Sequence, residues 1–297
     1  MTRTIVVLGS TGLLGQALMQ EARQRGLQAV GLSRRSGVDL AHAASLAAVL
    51  DPLRPSLVIN AAANTSLEDC ERHPREAHAL HARLPGLLAA WCCSHRVPWV
   101  QVSTDHYYTE GRNVLHAENA PVWLCNEYAR TKFVGEALAA ASELCLVLRT
   151  NIVGFRRWPG QPSFVEWAIA ALQGSEPFTA YDDVWASSIE VGQFAQALFE
   201  LVDRGAHGIY NLAAREASSK ADFILALAAA LGLDARHCRV AHRPAQTEPM
   251  RANALGLDVG RAEALLGRPL PTAAEVTAAL VRQYRKELPE PEHAACA

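Results

Sequence analysis

No stretch of this chain is apolar for the roughly 18 residues that a membrane span needs, and no cysteines stand at the CxxC spacing of a metal knuckle. Charge is scarce. Only 20% of the residues are charged and the net charge is −2, so nothing electrostatic points to nucleic acid or an anionic membrane as partner. The seven cysteines are odd in number and scattered, which argues against a disulfide framework. Cys92 and Cys93 adjoin on an expected helix, where packing is their ordinary role. No basic segment with an apolar sequel opens the sequence as an export signal would. These absences together describe a reduced, cytoplasmic protein. What the chain does have is core: half of its 297 residues are hydrophobic, enough for one large α/β domain or for a domain with a smaller lobe. No internal repeat is visible.

Ile5-Val6-Val7-Leu8 is an apolar, largely β-branched run without polar interruption, the pattern of a strand buried on both faces. It leads into Gly9, Gly12 and Gly15, after which Leu13, Leu14, Ala17, Leu18 and Ala22 recur at helical spacing. Glycines at a strand-to-helix turn have a physical use. The first allows the tight turn, the second lets backbone N–H groups approach a pyrophosphate, and the third lets the helix pack against the strand. The positive end of the helix then faces the phosphates. A glycine triplet alone fits any tight βα turn; its position here favours a dinucleotide, held along Gly9, Thr11, Gly12, Leu13, Leu14 and Gly15.

Strands and helices alternate from there. Strands are expected at 27–33, 56–60, 97–103, 144–149 and 208–212. Helices are expected at 43–50, 74–95 (with Pro85 kinking or splitting it), 126–141, 190–203, 218–231, 259–266 and 273–286. Short connections between alternating elements imply a doubly wound parallel sheet, Rossmann-like, with ligands at the carboxyl ends of its strands. Residues 1–155 form the expected dinucleotide-binding domain, with 186–212 returning to it. Residues 156–185 and 213–287 form a smaller substrate-binding lobe, and 288–297 a disordered tail.

An NAD-binding chain of this type usually carries Asp or Glu at the end of its second strand, to hold the ribose 2′-OH. Here the strand ends in Ser33-Arg34-Arg35, and guanidiniums suit a 2′-phosphate. That favours NADP(H), with NAD(H) as the alternative; a solvated Arg pair is the plainer reading. Asp39 and Leu40 are expected to flank the adenine.

Tyr128 and Lys132 stand one helical turn apart, so their side chains share a face at about 5–6 Å. A phenol is a poor acid–base near neutrality, and a neighbouring ammonium is expected to pull its pKa down toward the working range. Thr104 closes the fourth strand, where its hydroxyl could hold the carbonyl oxygen that Tyr128 protonates. YxxxK alone is common on helix surfaces; with the glycine turn and the strand-end threonine it becomes a catalytic set. Elsewhere the plain readings prevail. His106 in its loop reads as polar surface, Glu68, Asp69 and Glu71 as a solvated helix start with no metal, and Trp158 and Trp167 as core. Trp185, beside Ser187-Ser188, stays open between core packing and stacking on a base or sugar.

These motifs resemble the extended short-chain dehydrogenase/reductases, and among them the dTDP-4-dehydrorhamnose reductase family. The matching segments are Gly9–Leu18, Val58–Thr65, Val102–Asp105, Tyr128–Lys132, Leu148–Gly154, Gly208–Ala213 and Arg251–Asp258. The resemblance spans nearly the whole chain. It implies Thr104, Tyr128 and Lys132 as the catalytic set, with Tyr128 and Lys132 also touching the cofactor and Ala61, Ala62 and Ala63 running beside it. It implies a nucleotide-linked 4-keto sugar as substrate, near Thr65, Thr104, Asn151 and Trp185, and a monomer or homodimer. The chain departs from the family's pattern at His106, at His81 where Asn is typical, at Asn151-Ile152 where Trp is common, and at Ala252 in place of Pro. The catalytic set is untouched by these departures, while the sugar and the base stay open. Two other functions stay open with them: a sugar-nucleotide epimerase that holds its NAD, and a non-catalytic NADP-binding regulatory subunit like the β subunit of methionine adenosyltransferase.

Overall fold

The computed structural model describes residues 4–38, 40, 46–109, 113–244 and 248–287. The expected tail and Asp39 lie outside these. β1 (Thr4–Leu8), α1 (Leu13–Gln24), β2 (Gln28–Leu32), α2 (Leu46–Leu50) and β3 (Leu57–Asn60) open the chain in alternation. α3 (Leu67–Arg72), α4 (Pro74–His78) and α5 (Leu84–His95) lead to β4 (Trp99–Val102), and α6 (Glu127–Ala140) leads to β5 (Cys145–Arg149). Then come β6 (Asn151–Val153), α7 (Phe164–Gln173), β7 (Phe178–Tyr181), β8 (Trp185–Ala186), β9 (Ser188–Glu190) and α8 (Val191–Asp203). β10 (Gly208–Asn211), β11 (Ser218–Ser219), α9 (Lys220–Leu231), β12 (Cys238–Ala241), β13 (Ala254–Leu255), α10 (Gly260–Leu266) and α11 (Ala273–Glu287) complete it.

The main sheet runs β10-β5-β4-β3-β1-β2 with every pair parallel. Because a strand's side chains alternate in direction, β1 feeds two cores. Val6 and Leu8 join Val58, Leu84 and Leu88 on one face, while Ile5 and Val7 join Leu18, Ile59 and Phe194 on the other. The sheet is therefore covered on both sides, as the doubly wound reading expected. β1 has β2 on one side and β3 on the other, so the strand order reverses between β1 and β3. Such a switch point opens a crevice at the carboxyl ends of those strands.

Outside the main sheet, β6 pairs with β9, β7 with β12, and β8 with both β11 and β13. α7, α9 and α11 share an apolar cluster that includes Val165, Ile169, Phe223, Leu227 and Leu280. The two tryptophans read as core are not there. Trp167 is 41% exposed, and Trp158 is half-buried beneath the guanidiniums of Arg35 and Arg156 at 4.6 and 5.5 Å from its ring. Leu40 packs into the core beside Leu32 and Leu46.

The helix expected over 74–95 is broken by a π turn at Ala79–Arg83. Pro85 has no N–H to give the carbonyl four residues back, that of His81. α6 crosses there: a Cβ on Gly135 would lie 1.8 Å from the His81 oxygen. The proline frees the carbonyl and the glycine lets α6 pass over it, which fixes the helix that carries Tyr128 and Lys132.

Candidate active site

The glycine turn has the expected form. Gly9 has φ +77°, and a Cβ there would lie 2.8 Å from Ala61 and Ala62 backbone atoms; a Cβ on Gly15 would lie 2.1 Å from the Gly9 oxygen. The turns after β1 and β3 thus meet at the switch point. α1 begins behind Gly12 with no side chain capping it and no acidic residue in its first turn, so its N–H groups face the crevice uncontested by a carboxylate. The Asn60 side chain bridges Gln101 Oε1 and Ala62 N at 2.9 and 3.2 Å, holding the Ala61–Ala63 turn, of which only Ala63 is exposed. After β2, Ser33 is buried and reciprocally bonded to Ser36, while Arg34 and Arg35 are exposed. This cradle, which a Cβ at Gly9 or Gly15 would fill and whose described turns carry no acid at Arg34–Ser36 or in the first turn of α1, fits a dinucleotide.

The catalytic candidates gather at the carboxyl end of β4. Asn126 caps α6 through its Oδ1, which accepts from Ala129 N at 2.8 Å. That start aims Tyr128 and Lys132 inward, where they are only 7% and 4% exposed. The Tyr128 hydroxyl is hydrogen-bonded to Thr104, and burial, aided by the charge of Asp105, holds the phenol above its usual pKa. The depression expected from Lys132 is not what the site shows. Lys132 Nζ donates instead to the Val102 carbonyl at 2.8 Å, and burial lowers its own pKa to about 8 against support from Glu136. Desolvation of the phenol is the largest influence on it, ahead of any neighbouring charge.

A rigid frame stands behind them. Arg149 Nε donates to both Glu136 oxygens at 3.1 Å, and Nη1 donates to the Tyr108 hydroxyl at 2.8 Å. Ser103 Oγ completes it, donating to Glu136 Oε2 at 2.6 Å. His81 couples the β3 turn to α6: its Nε2 accepts from Asn64 N at 2.9 Å, so Nδ1 carries the proton and donates to Thr131 Oγ1 at 3.0 Å. Burial and the Lys132 charge push His81 down to about 3, so it stays neutral while its ring meets Tyr128 edge-on at 5.5 Å.

The loop histidine is not polar surface. His106 is partly buried edge-on to Tyr128 at 5.5 Å, and its Nδ1 is occluded with no partner. Burial, then the charges of Lys220, Arg251 and Arg243, lower its pKa to about 4. Asn151 is spoken for internally, donating to Asp105 Oδ2 at 2.7 Å and accepting from Ser188 Oγ at 2.8 Å. Trp185 pairs in register with Ser219 and Ala254, with its indole Nε1 occluded and without partner. Thr65 is exposed at the rim, just before the Ser66 cap of α3. The acidic start of α3 is consumed in ties: Glu68 pairs with Arg251, and Glu71 accepts from Glu127 N at 2.7 Å.

Lys220 was not singled out from the sequence. It opens α9, its ammonium lies 4.2 Å over the Phe164 ring, and its charge acts on both Asp105 and His106. Asp182, Asp183 and His242 have ligand atoms within 4.8 Å of one another, but His242 already bonds Asp182 and Arg243 N already bonds Asp183. Among the described residues no helix is long and apolar enough to cross a membrane.

The family described as RmlD substrate binding domain matches residues 3–286. The chain belongs to that family. It is an oxidoreductase of the extended short-chain dehydrogenase/reductase type. A probable low-salt glycan biosynthesis reductase of Haloferax volcanii is 30% identical, over 92% of this chain and 96% of that one. A dTDP-4-dehydrorhamnose reductase of Mycolicibacterium smegmatis is 29% identical, over 83% and 78%. Among solved structures, a dTDP-4-dehydrorhamnose reductase of Clostridium acetobutylicum superposes with a TM-score of 0.85 at 20% identity, over 95% of this chain and 99% of that one. One from Bacillus anthracis, in complex with NADP, gives the same score at 18% identity, over 95% and 99%.

Proposed function

We propose that this protein reduces a 4-keto sugar linked to a nucleoside diphosphate, with NADP(H) as cofactor. The observation that carries the reading is the buried Tyr128 hydroxyl bonded to Thr104 at the end of β4, one turn from Lys132, beside the glycine cradle. The reductase names of the relatives in Haloferax volcanii and Mycolicibacterium smegmatis support it. The Gly9–Gly15 turn and the uncapped start of α1 would hold the pyrophosphate, Ala61–Ala63 would lie alongside, and Ser33, Arg34 and Arg35 would meet the 2′-phosphate. The bound dihydronicotinamide supplies a hydride to the keto carbon. Thr104 holds the keto oxygen, and Tyr128 donates the proton that makes it an alcohol. The phenol is protonated at neutral pH and so has the proton to give. The elements outside the main sheet, β7, α7, α9 and their neighbours, would close the site as the substrate lobe, with Trp185 and Thr65 at its edge.

The test is absorbance at the nicotinamide band. Purified protein should oxidise NADPH when a dTDP-4-keto-6-deoxy sugar is added. Tyr128→Phe should lower kcat by roughly 10²–10⁴-fold, the usual worth of a positioned acid, with NADPH affinity unchanged. Wild-type kcat in that variant would defeat the assignment of Tyr128. Tightly bound NAD with no net oxidation would point to an epimerase, and binding without turnover to a regulatory subunit.

A further inference from the structure

In the reductase reading Tyr128 must recover a proton after each turnover, and one carboxyl, that of Asp105, stands one hydroxyl away from it. Lys132, the expected partner, is bonded to the Val102 carbonyl at 2.8 Å, and the phenol's hydrogen-bonding neighbour is Thr104. Thr104 has one hydroxyl proton. Its oxygen accepts from His106 N at 3.2 Å, while its own proton points at Asp105 Oδ1, 3.4 Å away. Tyr128, Thr104 and Asp105 thus stand in sequence, from the phenol hydroxyl through its polar neighbour to a carboxyl that is only 1% exposed. If Asp105 is ionised, it claims the Thr104 proton; if it is protonated, Thr104 is free to donate to the substrate oxygen and, once that oxygen has become an alcohol, to the phenolate.

We propose that Asp105 is the proton reservoir of the reaction, refilling Tyr128 through the Thr104 hydroxyl. The inference rests on the reductase reading above. Once the phenol O–H has broken and the alcohol O–H has formed, the Thr104 proton moves to the phenolate oxygen and the Asp105 proton moves to Thr104. One proton has then left Asp105 for the product. The remaining carboxylate takes a proton from solvent once the product leaves. No electrons travel this route; both come with the hydride of the dihydronicotinamide.

The surroundings of Asp105 suit the part. From β6, Asn151 Nδ2 donates to Oδ2 at 2.7 Å, and from α9 the Lys220 ammonium acts on the carboxyl. From its own loop, His106 Nε2 lies 3.9 Å from Oδ1, and from α6 the Tyr128 hydroxyl approaches through Thr104. Arg243 and Arg251 stand beyond His106 and act on that ring. Burial raises the Asp105 pKa to about 7, against the pull of Asn151 and Lys220, which places loading and unloading at working pH. Lys220 therefore acts as a positioning residue, steadying the emptied carboxylate without touching the substrate's carbonyl.

Two measurements decide it. The first is kcat against pH for wild type, Asp105→Asn and Lys220→Met. A reservoir that empties near pH 7 gives the wild type an alkaline fall in kcat. Asp105→Asn keeps an acceptor for Asn151 but stores no acid proton, so it should lower kcat about 10–100-fold and lose that fall. Removing the Lys220 charge should move the fall to higher pH. The second is an infrared titration of the ligand-free protein: a protonated-carboxyl band should fade near pH 7, be missing in Asp105→Asn, and fade at higher pH in Lys220→Met. If Asp105→Asn keeps both the wild-type kcat and its alkaline limb, the limb belongs to Lys132 and the proposal fails. A wild type with no carboxyl band above pH 5 overturns it equally. Absence of wild-type turnover on any 4-keto sugar nucleotide defeats the reductase reading and this inference with it. Turnover with the limb intact in Asp105→Asn defeats the inference alone.

Discussion

Lys132 is held in the folded protein at a cost. Burial lowers its pKa from 10.5 to about 8, which at about 1.4 kcal/mol per unit amounts to roughly 3 kcal/mol set against folding. The sign runs with pH. Below pH 8 the amine is charged in both folded and unfolded chains, and the whole penalty applies. Between 8 and 10.5 the folded protein sheds the proton while the unfolded chain keeps it, so the penalty fades and stability rises with pH. Lys132→Met should abolish turnover yet raise stability at pH 7 by up to about 3 kcal/mol, an advantage that vanishes by pH 10.5. The Val102 carbonyl is not orphaned in the variant, because Gln101 Nε2 also donates to it at 2.9 Å. Urea unfolding of both proteins at pH 7 and pH 10 checks this; a less stable variant at pH 7 would mean that the lost hydrogen bond outweighs desolvation. That Thr104, Tyr128 and Lys132 would come together was legible in the sequence because order and spacing carry it. The direction of the Lys132 ammonium was not, since a carbonyl on another strand decides it. Lys220 left no trace beside Asp105, because only the folded chain brings the start of α9 to the end of β4.

Among the elements, the strands of the main sheet were readable as continuous apolar runs, because a strand covered on both faces has no polar side to show. The paired strands β6–β9 and β7–β12 were not: β6 and β9 are only three residues long, and β7 and β12 lie largely uncovered. α7 was passed over although Ser163 and Glu166 announce it, each side chain capping the other's backbone N–H at the helix start. The break within residues 74–95 was half-legible. Pro85 marked it, but the crossing of α6 over the freed His81 carbonyl needed the partner helix. That crossing allows a sharp expectation. Gly135→Ala would place a methyl 1.8 Å from the His81 oxygen, so α5 and α6 must separate, at about 1–3 kcal/mol by the usual cost of overpacking. The shift also displaces Tyr128 and Lys132, so kcat should fall along with the melting temperature. Gly86→Ala on the neighbouring helix is the control: its methyl meets only the tip of Leu138 at 3.3 Å, and it should leave both nearly unchanged. Circular-dichroism melts and kcat measured side by side separate the two outcomes.

At the scale of the whole molecule, the crevice over β1 and β2 is not built from the first half of the chain alone. Arg35 leaves β2 and lays its guanidinium 4.6 Å over the ring of Trp158, which arrives from the connection between β6 and α7. The contact restricts a side chain that would otherwise sample many rotamers, and a guanidinium held in place loses less on binding a phosphate. Arg34 is exposed beside it. Replacing both arginines with Ala should weaken NADPH binding roughly 10- to 150-fold, the worth of charge-assisted bonds to a phosphate, and leave NADH where it was. Trp158→Ala should reproduce part of that loss although it bears no charge, because it frees Arg35. The decisive arrangement is a double-mutant cycle in Arg35 and Trp158, read by titrating each protein with NADPH and with NADH. If Trp158 acts by holding Arg35, the double variant binds NADPH no worse than Arg35→Ala, and the coupling is near the 0.5–1 kcal/mol of an exposed cation–π pair. Strictly additive losses would mean that Trp158 serves the cofactor by some other route. Equal losses for NADH and NADPH would show that neither residue reads the 2′-phosphate.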